Sequence, residues 1–192
     1  MSIRKKILAT SIGPVLVLGV ITLLFMLTMV KSSLMDEVQD ALKGTAAATL
    51  AAYDQNTGDY LESTNGDIWK GSYNISKSEN LVDRIKENTG MDVTFFYGNK
   101  RIMTSALDKK GNRILGSEAG ERVVNQVIKG KKPFFSTNVS LDGTRNYGYF
   151  IPVYQNGTTD QVIGMVFVGT NKARKDAIVN KILGSIMMAL LV

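Results

Sequence analysis

A serine three residues ahead of a lysine, Ser2 and Lys5, has the spacing of a nucleophile–base pair that works without histidine. It sits in a short basic tail before an apolar run, with nothing around it to build a pocket. Most other catalytic options are closed, because the 192 residues contain no Cys and no His. There is then no thiol nucleophile, no imidazole base, and no Cys- or His-ligated metal. The reading is a protein that is not an enzyme and carries no cofactor or metal. Three Asn-x-Ser/Thr triplets, at Asn74, Asn138 and Asn156, are about what chance supplies in a chain this rich in Asn, Ser and Thr. The formal charge is +6, and the excess is local. Arg4, Lys5 and Lys6 precede the first apolar run, and Lys172, Arg174, Lys175 and Lys181 precede the last, against Asp176. From Lys31 to Asn171 the chain carries 16 basic and 16 acidic residues. Basic clusters beside apolar segments around a neutral domain point to a membrane, and nucleic acid is not expected as a partner.

The elements that must position any site begin with Ile7 to Val30, 24 residues without a charge. As a helix this run is about 36 Å long and crosses a hydrocarbon core of about 30 Å with some tilt. A cleaved signal peptide is the competing reading, but its apolar region would be shorter and followed by small residues. The domain organisation expected is a cytoplasmic tail (1–6), a transmembrane helix (7–30), an extracytoplasmic domain (31–175) and the start of a second transmembrane helix (178–192). The basic tail places the N-terminus in the cytoplasm and the domain outside the plasma (inner) membrane. Ile182 to Val192 is too short to span, so the sequence is read as stopping inside that helix; an amphipathic tail on the membrane surface is the alternative.

After Lys31, Leu34, Val38, Ala41, Thr45, Ala48 and Ala52 alternate at spacings of four and three, one face of a helix that extends the first span. Its small residues suit close packing, on the domain's own sheet or on a second subunit. Gly58 and Ser63 to Ser72 read as a loop. Ser76 and Glu79 form a capping-box pattern for a second helix, which Gly90 ends. From Met91 the period is two. Met91–Tyr97 and Arg101–Leu107 flank a Gly98-Asn99-Lys100 turn, and Phe134–Leu141 and Thr144–Tyr154 flank Asp142-Gly143, a type I′ signal. Gln161–Thr170 follows Asn156-Gly157 and is apolar on both faces, so it should be central. A short helix over Glu118–Lys129 lies between the hairpins. The fold class predicted is α+β: a five-stranded antiparallel sheet with a long N-terminal helix.

With these elements in place, Asp67 to Gly169 resembles the single-Cache, PAS-like extracellular sensor of bacterial methyl-accepting chemotaxis proteins. The resemblance is carried by Val82-Asp83-Arg84-Ile85-Lys86 leading to Thr89-Gly90, by Asp92-Val93-Thr94-Phe95-Phe96-Tyr97-Gly98, and by Arg101 with Thr104. It continues through Gly111-Asn112-Arg113, Leu115-Gly116, Tyr147-Gly148-Tyr149 and Pro152-Val153 to Ile163-Gly164-Met165-Val166-Phe167-Val168-Gly169. It implies a sensor for a small extracellular ligand whose signal crosses the membrane through the helices; separately, the Leu34, Val38, Ala41, Thr45 seam is expected to make a weakly associating homodimer. Related sensor kinases for citrate and C4-dicarboxylates use an Arg three positions before a His on the second strand, and another Arg four before the Pro of the fourth. Arg101 matches the first; Thr104 stands for the His and Gly148 for the second Arg. The resemblance thus implies a carboxylate held by Arg101, with Thr104, Tyr97, Tyr147, Gly148 and Tyr149 around it, and favours a small monocarboxylate or amino acid. Arg101 and Thr104 can share a pocket only if their strand bends between them. Read from the residues alone, Arg101 is equally a solvated hairpin residue and the tyrosines ordinary sheet packing. The sensory half of a histidine kinase or cyclic-dinucleotide cyclase, and a non-signalling anchored binding module, remain as alternatives.

Overall fold

The charge-free run and the small-residue seam behind it form one helix, α1 (Ile3–Asp54), in a computed structural model that describes residues 3–156 and 158–190. Ser2 and the last two residues of the expected second span lie outside the described residues, as does Gly157 of the expected Asn156-Gly157 turn. Among the described residues α1 is the one helix long and apolar enough to cross a membrane. The hydroxyls of Thr22 and Thr28 donate back to the Leu18 and Leu24 carbonyls, so neither is left unpaired in the apolar stretch.

Gln39–Asp176 form one compact unit. Here α1 buries Leu42, Ala46, Thr49 and Tyr53, again at spacings of four and three. This stripe is one position round from the seam expected from Ala41, Thr45 and Ala48, and it leaves Ala41 and Ala48 exposed. The reason is size: Leu42 and Tyr53 have the larger apolar surface to remove from water. Tyr53 meets Phe95 edge-on at 5.1 Å and its hydroxyl pairs with Ser78 Oγ at 2.9 Å.

The segment read as a loop is a small antiparallel sheet, β1 (Tyr60–Glu62), β2 (Ile68–Lys70) and β3 (Tyr73–Asn74), in that order. Strands of two or three residues are too short to show a period. Its anchors are Tyr60, stacked on Phe95 at 5.8 Å, and the Gln155 side chain, which accepts from Tyr60 N and donates to Tyr60 O. The expected capping box is also displaced. Ser76 Oγ accepts from Ile68 N, a short 3-10 turn covers Ile75–Lys77, and α2 (Glu79–Thr89) starts after Ser78. Gly90 ends α2 in the left-handed conformation (φ 68°), its N–H reaching Lys86 O at 2.7 Å.

Five strands make the main sheet: β4 (Asp92–Tyr97), β5 (Lys100–Thr104), β6 (Phe134–Leu141), β7 (Thr144–Tyr154) and β8 (Val162–Asn171), in the order β5-β4-β8-β7-β6. The doubly apolar β8 is central, as its composition requires. Asp142 and Gly143 turn β6 into β7 with φ 44° and 77°, both positive as a type I′ turn demands. The helix between the hairpins starts at Glu121 rather than Glu118: α3 (Glu121–Val123) runs into a π-helical turn over Val124–Lys129. α4 (Lys172–Leu190) leaves the end of β8.

Arg113 pairs through both terminal nitrogens with the two Asp83 carboxylate oxygens, joining α2 to the loop after β5. Arg113 holds the Asp83 carboxyl below the usual aspartate range. A lowered folded pKa means that the pair stabilises the fold above about pH 4 and that this contribution is lost as pH falls through the folded value. The Asp83 side chain is 43% exposed, so screening keeps the effect modest. Asp83→Asn should therefore show a shallower loss of melting temperature between about pH 5 and pH 2 than the parent; equal slopes would remove the pair from the acid response.

Candidate functional site

Register decides which residues can meet. On the face of the main sheet away from α1, Phe96 pairs with Met165 and Phe150 with Phe167 across neighbouring strands. Between Phe95 and Phe96 the β4–β5 register shifts, so Phe95 faces Met103 and Phe96 faces Arg101, with Ile102 as the extra residue. This bulge turns Arg101 and Thr104, three apart in sequence, onto the same face. A second bulge on β6 between Ser136 and Val139 bends that strand beside the same space.

The result is a cavity of about 540 Å³ between this face, the bent β6 and α3, lined in part by Phe96, Arg101, Glu118, Arg122, Phe134, Ser136, Asn138, Phe150 and Phe167. Arg101 is 7% exposed. Its Nη1 donates to Ile114 O at 3.3 Å, its Nε is buried without a partner, and its Cζ lies 5.3 Å from the Phe96 ring centre. Among the described residues no carboxylate lies within ion-pair distance of it. Burial pushes its pKa down, against the opposing field of Asp92. A guanidinium nevertheless stays protonated in a protein, so the charge is held at a desolvation cost that an anion in the cavity would offset.

Thr104 lies on the same face but is fully buried. Its hydroxyl pairs with Thr94 Oγ1 at 2.7 Å and also engages Val93 O and Ala106 N. That network holds the strand beyond the bulge. Gly148 also faces this side, opposite Gly169. The space above it is filled: a Cβ there would come within 2.5 Å of Phe167 Cε2 and 2.8 Å of Val139 Cγ2, and one at Gly169 would collide with the same ring. Phe167 thus lies across a cross-strand pair of glycines and forms the floor of the cavity.

Tyr97, Tyr147 and Tyr149 have the opposite parity and face the α1 side, so the six residues expected around one ligand do not share a face. Tyr147 donates its hydroxyl to Asp176 Oδ1 and accepts from Lys172 Nζ at 2.7 Å, tying β7 to the first turns of α4. Trp69 sits on β2, away from the cavity, and Arg145 is exposed beside the β6–β7 turn. The cavity residues that sequence reasoning missed are its aromatic wall and the polar bulge. Phe96, Phe150 and Phe167 read as ordinary core; the run Ser136-Thr137-Asn138, which breaks the alternation of β6, was the available signal.

A sheet with a helix behind it and a half-enclosed, cation-bearing cavity in front is the architecture of a ligand-binding sensor domain. The chain belongs to the single cache domain 3 family, whose model matches residues 73–182. No curated protein sequence matches it. Among solved structures it is similar to an extracellular ligand binding receptor from Desulfohalobium retbaense, with 15% identity over 80% of this chain and 26% of that one, TM-score 0.54. It is also similar to the sensor domain of the V. cholerae histidine kinase DctB, with 13% identity over 85% of this chain and 59% of that one, TM-score 0.52. The chain thus spans about a quarter of the first and under two thirds of the second. At such identities the likeness shows the fold alone.

Proposed function

We propose that this chain is the sensory part of a bacterial chemoreceptor, anchored in the plasma membrane by α1, with its Cache domain outside the cytoplasm. It binds a small organic acid or amino acid through Arg101 and passes the signal through α1 and α4 to an output domain. The observation that carries this reading is the buried guanidinium: a permanent charge, without an ionic partner among the described residues, facing a cavity of ligand size. A carboxylate is the planar anion that matches its fork of donors. The exposed Ala41 and Ala48 give α1 a small-residue face on which two copies pair as a homodimer.

The test is a thermal-unfolding screen of the full chain in detergent micelles against small mono- and dicarboxylates and amino acids. At least one carboxylate should raise the melting temperature in the parent and leave Arg101→Gln unshifted. If every shift seen in the parent persists in Arg101→Gln, Arg101 does not hold the ligand.

A further inference from the structure

The floor of the cavity is closed: Phe96, Phe150 and Phe167 are 1–3% exposed and belong to the packed core. A ligand therefore meets the groups around that floor, and the charged ones among them are held together by the backbone. Residues 116–119 run along the outer edge of β5. Arg101 N–H donates to Ser117 O at 2.9 Å, Gly116 N–H donates to Arg101 O at 2.9 Å, and Glu118 stands opposite Lys100 in a bridge. Glu118, which also lines the cavity, is thus the carboxylate placed next to the buried cation Arg101. Among the described residues Glu118 forms no ion pair, with Arg101, with Lys100 across the bridge, or with Arg122 four residues on. Arg122 is exposed at the rim instead, its guanidinium 5.3 Å from the Phe134 ring centre.

These charges select the ligand. A carboxylate on Arg101 is brought beside the Glu118 carboxylate, and in a half-enclosed site their repulsion is only partly screened. A plain monocarboxylate keeps that repulsion, and a dicarboxylate adds to it. An ammonium on the carbon next to the ligand carboxylate reverses the sign, because Glu118 then accepts a charge-assisted hydrogen bond. The rest of the lining is neutral. At the other edge of the sheet the β6 bulge sets Thr137 and Asn138 opposite the single residue Tyr147, and Ser136, Asn138 and Ser140 line the cavity there. A further ligand charge would find no counter-charge among these hydroxyls and amides, whereas a hydroxyl or amide would find hydrogen bonds. The volume, about 540 Å³, holds such a molecule.

We infer that the cavity takes a zwitterionic α-amino acid with an uncharged polar side chain, its carboxylate on Arg101, its ammonium on Glu118 and its side chain toward the β6 bulge. This rests on the assignment of Arg101 made above, adds Glu118 as a second binding residue, and chooses amino acids over simple organic acids.

The experiment measures binding of L-serine, L-asparagine and L-glutamine, each against its deaminated analogue (3-hydroxypropanoate, succinamate and glutaramate), to the full chain in detergent micelles by titration calorimetry. At least one amino acid should bind at least about tenfold more tightly than its analogue, the effect of one hydrogen bond between charged groups. The two members of a pair differ only in the ammonium, so the comparison isolates it without altering the protein. In Glu118→Gln the preference should fall to about threefold or less, with the affinity of the analogue unchanged or raised. In Arg101→Gln neither member should bind. If the analogues bind through Arg101 as tightly as the amino acids, or if the preference survives in Glu118→Gln, the pairing of an ammonium with Glu118 is overturned and the organic-acid reading of Arg101 stands. If no amino acid and no analogue binds in an Arg101-dependent way, both fall.

Discussion

Arg101→Met should give a chain that is more stable without ligand and unable to bind it. The parent keeps a guanidinium 7% exposed with one long hydrogen bond and a buried Nε without a partner, so its desolvation is poorly compensated. Methionine keeps much of the side-chain length, adds no polar atom, and can place its sulfur near the Phe96 ring. Replacing buried ion pairs by apolar groups of similar volume is often neutral or stabilising by about 1–4 kcal/mol; for a lone buried cation whose removal also costs the Ile114 carbonyl its donor, a gain of about 1 kcal/mol is expected. The bound state moves the other way. Removing one partner of a buried charge pair costs about 2–5 kcal/mol, so carboxylate affinity should fall by at least about thirtyfold. Unfolding of unliganded parent and variant, followed by Trp69 emission, together with calorimetry of the best organic acid, checks both signs. A variant that melts well below the parent would mean that Arg101 holds the fold together rather than waiting for an anion.

Phe95→Ala should have the largest effect on folding itself. Phe95 is fully buried and is the point at which three elements meet: Tyr53 of α1 edge-on at 5.1 Å, Tyr60 of β1 stacked at 5.8 Å, and its own strand β4. Truncating a core phenylalanine costs about 3–5 kcal/mol, because rigid neighbours leave a cavity that cannot close. For a domain of this size that is a fall of about 10–20 °C in melting temperature. Phe95→Leu, which keeps most of the volume, should cost less than half as much. A Phe95→Ala chain that melts within about 2 °C of the parent would show that α1 and the small sheet are held by other contacts.

The main sheet could be read because its signals are local: Asp142-Gly143 fixes one hairpin, Gly98-Asn99 the other, and the doubly apolar β8 belongs in the middle. Arg101 could be placed beside a pocket by resemblance. The faces of its neighbours could not, because parity along a strand changes by one position at each bulge, and the extra residue at Ile102 leaves no local mark in the sequence. Tyr97, Tyr147 and Tyr149 fell on the far side for a different reason: their alternation is plain, but which face carries the cavity depends on where α1 docks. The aromatic wall was invisible because a phenylalanine lining a cavity and one filling a core have the same pattern. The small sheet was missed because its strands, of two or three residues, are too short to show a period.

The ring of Phe167 lying over Gly148 and Gly169 also constrains how this cavity can change by substitution. Acquiring a second cation at position 148 by one substitution drives the new side chain into that ring and into Val139, and the fold suffers before any ligand is gained. Shrinking Phe167 first strips the cover from two strand glycines and opens a void, at about 3–5 kcal/mol. Each step alone costs stability, and only the pair relieves the clash, so the mutational path runs through a valley. On the proposed carboxylate-binding reading, packing at this glycine pair thus keeps position 148 from supplying a second cation to the cavity.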